Sequence, residues 1–377
     1  MFVTILIFLL ILSVLVLVHE FGHFLVAKLF KIKVEEFGFG LPPRAFGFKK
    51  GETVYSVNWL PIGGFVRLFG EDKAPLRQGS EGQAGGGSEK LKVKGLKRAF
   101  FARPAWQRIL VIVAGVAMNF VLAVAIISYL FSVVGVPTPG KNVVVSGIIA
   151  NSPAAKSGLK IGDTVEKINN VEITSAQQLV TLAKEHLGEK LVIRIKDKGL
   201  RIKDLEITPR KNYPKNEGPM GISISQNMLI KKYPWYEAPI LGTQEALAES
   251  WMIASGLGMM VYQLVLFGSV PRGVAGPVGI AQLTGQFVQI GPYAILSFVS
   301  LLSLNLAILN ILPIPALDGG RLFFILIEVV TGKKVNRRFE GYAHAIGMVL
   351  LLGLIAVITL HDLFRLFTGQ PILPKIQ

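Results

Sequence analysis

Met1-FVTILIFLLILSVLVLVHEFGHFLV-Ala27 is the stretch on which the reading turns. It is apolar for longer than the roughly 20 residues needed to cross a hydrocarbon layer. It has no basic start and no small-residue cleavage site, so it reads as a retained spanning helix rather than a signal peptide. Near its end stand His19, Glu20 and His23. Residues four apart stack on one helix face, so His19 and His23 can bind one metal ion. Glu20 sits beside them and can take a proton from an attacking water, the arrangement of H-E-x-x-H zinc sites. Such five-residue matches arise by chance, but ionisable groups in a spanning helix cost roughly 2.5–3.5 kcal/mol each and are functional by default. His19 lies nine residues before Lys28, about 14 Å along a helix. The alternative, three polar groups satisfying one another in a helix bundle, is an expensive way to pack helices.

Working outward, three more apolar blocks follow. One runs over 109–135. One, 293–330, is interrupted by Pro313, Pro315 and Asp318-Gly319-Gly320. The last covers 341–361. With 51% hydrophobic residues and a mean hydropathy of +0.52, the chain is too apolar for an ordinary soluble domain. The expected fold is a polytopic α-helical membrane protein with about four transmembrane helices. The absence of cysteine rules out disulfides, iron–sulfur clusters and thiol nucleophiles. The net charge of +16 could suggest nucleic acid, but its clusters fit topology signals better. Lys28, Lys31 and Lys33, then Lys94 to Arg108, then Lys333 to Arg338 all fall on one side of four crossings. The positive-inside rule makes that side cytoplasmic and puts both termini and the segment after the second span outside.

A catalytic zinc takes three protein ligands and keeps one position open, which calls for another ionisable group at membrane depth. Asp318 is the best candidate. Pro313 and Pro315 break the helix before it, and Gly319 and Gly320 allow close approach. Broken backbone at membrane depth is tolerated where it lines a polar cavity. The competing reading makes Asp318 the N-cap of the next helix. Asn310 is placed to hydrogen-bond a substrate or developing oxyanion, or equally to bond between helices.

Together these residues resemble the site-2 proteases, intramembrane zinc metalloproteases, in their bacterial branch bearing a single PDZ domain. His19-Glu20-x-x-His23 is similar to the family's first motif, and Asn310 through Leu317-Asp318-Gly319-Gly320 to its second. The resemblance implies one zinc per chain on His19, His23 and Asp318, Glu20 as base, and a multi-pass protein of a bacterial cell membrane. It implies an endopeptidase that cuts within or near the transmembrane segments of single-span membrane proteins, such as anti-sigma factors or remnant signal peptides. Ala114 to Asn119 resembles a second-span motif that usually has Pro where this chain has Val116. Asn119 is then a candidate to face the substrate, the alternative being helix packing through Gly115 and Ala117.

The cytoplasmic loop, 28–108, reads as a strand at Thr53–Trp59, a strand at Gly63–Leu68 with turn residues between, and a flexible Gly-rich linker over 71–98. In the family a β-hairpin here dips toward the active site, so Gly63 and Gly64 are candidate substrate-contacting positions. An exposed strand edge can hold an unwound substrate by β-addition. Beyond the second span, 141–211 reads as an α+β insert with strands at Val143–Ile149, Thr164–Ile168, Leu191–Ile195 and Leu205–Thr208. Ser152 is its first N-cap, followed by Pro153. The order resembles a circularly permuted bacterial PDZ domain, which could take a clipped peptide C-terminus or act as a size filter. Residues 236–268 read as an amphipathic interfacial helix. His186, His344 and His361 read as structural.

Two other readings compete. A catalytically silent PDZ-bearing scaffold has no reason to keep four costly polar groups. A transporter with a broken-helix metal site predicts paired interruptions, and only the one near Pro313 is found.

Overall fold

In the computed structural model, which describes residues 2–71, 96–197, 199, 201–214, 217–267 and 276–368, the opening stretch is one helix, α1 (Phe2–Leu29). It contains no proline, and Lys28 in its last turn complements the carbonyl end of the helix. Lys31, with φ 56°, turns the chain out of the helix. Three further helices are long and apolar enough to cross a membrane: α2 (Ala105–Val133), α7 (Pro292–Ile311) and α9 (Arg337–Phe367). These names follow chain order, with the intervening elements given below. The expected linker around Gly85 lies outside the described residues.

The chain divides into two units, one formed by Phe131–Tyr233 and the other by the rest. In the larger unit, α1 is followed by β1 (Val34–Lys50) and β2 (Thr53–Leu68), which pair antiparallel. Here the structure corrects the sequence reading. Thr53–Trp59 and Gly63–Leu68 are not partners across a turn but parts of one long β2. The tight turn is at Gly51, with φ +63°, and the missing partner is β1. Phe37 of β1 lies opposite Val66 on one side and Tyr55 on the other, so the first part of β1 is flanked by both ends of β2. β1 escaped notice because Gly38, Gly40, Pro42 and Pro43 interrupt its alternation. Glu36, buried in this sheet, receives the Ser56 hydroxyl at 2.7 Å and the Arg44 guanidinium at 2.5 Å.

The interrupted third block resolves into α7 and α8 (Asp318–Thr331), separated by residues 312–317. Before them come α5 (Ala238–Phe267) and α6 (Pro277–Ile290). α5 is helical where an interfacial helix was expected, and it is not among the helices apolar enough to span. α6 was not foreseen. Its first turn is capped from a distant helix, by Asp362 of α9, whose Oδ2 accepts the Gly276 and Gly279 N–H groups at 3.0 Å each. Sequence rules look for caps beside the helix they serve, so this one is invisible to them.

The smaller unit holds β3 (Val136–Ile148), the single-turn α3 (Pro153–Lys156), β4 (Thr164–Ile168), β5 (Val171–Glu172), α4 (Ala176–Glu185), β6 (Leu191–Lys196), β7 (Ile202–Ile207) and β8 (Ile222–Lys231). The strands order β7-β6-β4-β3-β8, with β5 on β4. Val143, Val145, Leu191, Ile193, Ile195 and Ile207 form an apolar core with Leu179 of α4. Ser152 and Pro153 start α3 as expected, and the Ser152 hydroxyl accepts the Ala155 N–H at 3.2 Å. The sheet runs past the expected boundary at 211, because β8 joins as an edge strand beside β3.

Candidate metal centre

α1 carries His19 and His23 one turn apart, and both are buried. The break between α7 and α8 brings Asp318 to them across 299 residues of chain. Asp318 Oδ2 lies 2.8 Å from His19 Nε2 and 3.2 Å from His23 Nε2, and the two nitrogens are 3.1 Å apart. With metal–nitrogen and metal–oxygen bonds of about 2.0–2.1 Å, ligand atoms on a tetrahedral ion sit about 3.3 Å from one another. Three donors therefore form one face of a tetrahedron that matches zinc in size and in ligand chemistry, two imidazoles and a carboxylate. A ligand atom from Glu20 lies within 4.8 Å of those from the two histidines.

Asp318 does not cap α8. The N-cap position is Leu317, without a side-chain cap, and the Asp318 carboxylate turns to the histidines. Its two glycines have a packing cause. A Cβ on Gly319 would run into the carbonyls of Ile311 and Leu312, and one on Gly320 into the carbonyl of Ile314. The chain can double back this tightly only without side chains there. Ala316 in the same loop has φ 84° and donates its N–H to Nδ1 of His344 at 2.9 Å. His344, read from the sequence as mere packing, thus holds the segment that presents Asp318.

α2 lines the other side. A Cβ on Gly115 would collide with the imidazole of His23 and come within 2.8 Å of His19. Gly22 of α1 is pressed in turn against Ala114. His23 Nδ1 faces the Val111 carbonyl at 2.8 Å, which directs Nε2 toward the shared point.

The remaining candidates fall in different places. Asn310 reaches the cluster, with Nδ2 3.4 Å from His19 Nε2. Asn119 lies behind His19 rather than beside Asp318. It is wholly buried and meets His19 from the Nδ1 side, away from Asp318. Gly63 and Gly64 pack β2 onto α1. The Ser13 hydroxyl donates to the Pro61 carbonyl at 2.8 Å, and a Cβ on Gly64 would stand 3.4 Å from Leu17. Three residues further along, the Val66 N–H donates to Glu20 Oε2 at 3.0 Å.

Two histidines and a carboxylate that could hold a metal ion, in a chain with four helices long and apolar enough to cross a membrane, have the chemistry of a membrane-embedded metalloenzyme. The comparisons name the family. The model of peptidase family M50 matches residues 7–354. A Clostridium acetobutylicum protein named provisionally as a zinc metalloprotease is 35% identical, over 93% of this chain and 94% of its own. The regulator of sigma-W protease RasP of Bacillus subtilis is 31% identical, over 97% and 99%. The zinc metalloprotease RasP of Bacillus licheniformis is likewise 31% identical, over 97% and 99%. The chain belongs to peptidase family M50, the site-2 protease family, and is a zinc-dependent metalloendopeptidase.

Proposed function

We propose that this protein hydrolyses peptide bonds within or near the transmembrane segments of single-span membrane proteins, with one zinc ion held by His19, His23 and Asp318. The observation that carries the reading is the convergence of His19 Nε2, His23 Nε2 and Asp318 Oδ2 within 2.8–3.2 Å. When bound, zinc supplies Lewis acidity toward water and the scissile carbonyl. Glu20 is the general base. Its Oε2 is engaged by the Val66 N–H, which leaves Oε1 to take the proton of the attacking water and return it to the leaving amine. Asn310, beside His19, hydrogen-bonds the substrate carbonyl as charge develops on it.

A helical substrate has no free backbone groups, so it must be held extended before it can be cut. The Val66 N–H points to Glu20 rather than into β1, so the open edge of β2 faces the base. An extended substrate segment adds to this edge. The inserted unit acts as a PDZ-like module outside the cell, where β8, an edge strand beside α4, could accept a peptide C-terminus. The basic clusters support a topology in which both termini lie on that same outer side of the bacterial cell membrane. A B. subtilis relative is named for regulating sigma-W, which supports anti-sigma factors as a substrate class.

The test is cleavage of a tagged single-span substrate by purified full-length protein beside Glu20→Gln, with bound zinc measured in both. About one zinc per chain in each, with cleavage lowered about 10²–10⁴-fold in the variant, is expected from loss of a general base. Wild-type cleavage by Glu20→Gln would overturn the assignment.

A further inference from the structure

Three positions at four-residue spacing on one face of α2 meet the two histidines of α1. Val111 offers its carbonyl to His23 Nδ1 at 2.8 Å. Gly115 offers no side chain, where a Cβ would strike the imidazoles. Asn119 offers its carboxamide to His19 Nδ1 at 3.4 Å. Both histidines turn Nε2 to Asp318, so Nδ1 of each is left to this face. An imidazole that ligates a metal through Nε2 carries its proton on Nδ1 and must donate it. Val111 meets that demand for His23.

For His19 the partner must also be an acceptor. The Asn119 amide nitrogen stands at the imidazole, while Oδ1 is buried with no hydrogen-bond partner. Oxygen and nitrogen of a carboxamide exchange places by a half-turn of the group. That half-turn brings Oδ1, an acceptor, onto the Nδ1–H. Asn119 is wholly buried, and its own carbonyl is fixed by the Ser303 hydroxyl of α7 at 2.8 Å. We infer that Asn119 is a positioning residue for the zinc site: its side-chain oxygen accepts the Nδ1 proton of His19 and holds that imidazole in the tautomer and orientation that bind metal. The inference rests on the ligand assignment above and extends it to a residue that touches neither metal nor substrate.

The test is zinc affinity of the full-length protein in detergent, measured by competition with a chelator, for wild type, Asn119→Ala, Asn119→Leu and Asn119→Asp. Partners of this kind typically contribute 10–100-fold in metal affinity. Asn119→Ala and Asn119→Leu should weaken zinc by that factor. Asn119→Asp, close in size and able only to accept, should bind at least as tightly as wild type. Wild-type affinity in Asn119→Leu, or Asn119→Asp as weak as Asn119→Ala, would overturn the inference. Asp318→Ala and His23→Ala are the separate control. If they keep wild-type affinity, the ligand assignment itself fails, whatever Asn119 does.

Discussion

Both units of this chain bury apolar side chains, but they differ in the polar groups they bury and in how far those groups reach. The unit at Phe131–Tyr233 hides valines, isoleucines and leucines, and its buried polar side chains, Ser152 and Asp163, serve their own turns three residues away. The helical unit hides His19, His23, Arg108, Asn119, Ser303 and Asp362, and these reach partners far along the chain. His19 meets Asp318, Ser303 meets Asn119, and Asp362 meets Gly276. Arg108 pairs with Glu328 at 2.9 Å. Large apolar side chains such as Leu6, Leu10, Leu350 and Leu354 stay on its outside. In water, apolar burial drives association. In lipid the tails are as apolar as leucine, so helices are fixed by close approach at small residues and by polar contacts. The lesson is that function and cohesion share residues in one unit and are separate in the other. A single substitution should therefore damage chemistry in the first and only stability in the second.

Gly115→Ala offers the sharpest way to break this contrast. The new methyl must displace His23 or push α2 from α1, because the imidazole lies too close to accommodate it. Losing a ligand's position should lower zinc-dependent cleavage on the order of 10³-fold, about 4 kcal/mol, although the substitution adds only one carbon. Zinc content and cleavage rate check it. Near-wild-type values would mean that the helices slide freely and that the packing at Gly22 and Gly115 does not set the site.

The same contrast explains what could be read from the sequence. His19, Glu20 and His23 are legible because helix periodicity puts them on one face. Ser152 and Pro153 are legible because caps obey local rules. Asp318 was reachable by asking what a three-ligand ion still lacked. By comparison, β1 was hidden by its glycines and prolines, and α6 by a cap supplied from α9. The support that His344 gives to Ala316 spans 28 residues, and the place of Asn119 behind His19 spans 100. No periodicity announces such contacts, since they depend on which helices become neighbours. Asn119 stood out only through the resemblance of the stretch from Ala114 to Asn119 to a second-span motif, with facing the substrate or helix packing as its two readings.

In the other unit, Ile193→Ala removes a fully buried side chain from the centre of the sheet. The cavity left should cost about 3 kcal/mol. Amide exchange in β4, β6 and β7 should accelerate accordingly, while zinc content stays at one per chain. A variant that lost zinc as well would show that the two units unfold together, and the division of labour argued above would fall.

The smallest effect lies at the turn after β6. Asp197 accepts the Arg201 N–H at 3.0 Å and the Gly199 N–H at 2.9 Å, and pairs with Lys203 at 3.0 Å. The Arg201 N–H first, and then the Lys203 ammonium, hold its carboxyl down at about 2 against an ordinary 3.8. A carboxyl lowered by folding adds stability that is full above its unfolded value and is lost as pH falls through the folded one. The window is therefore pH 4 down to 2. At pH 3 an ordinary aspartate is mostly protonated, whereas Asp197 should remain ionised and the turn closed. Carbon NMR of aspartate-labelled protein, with Asp197→Asn to assign the signal, reads this directly. A midpoint near 3.8 would mean that the turn does not hold its charge in solution. Since the contact is local and exposed, neither outcome should move zinc binding, which is the separation the comparison of the two units requires.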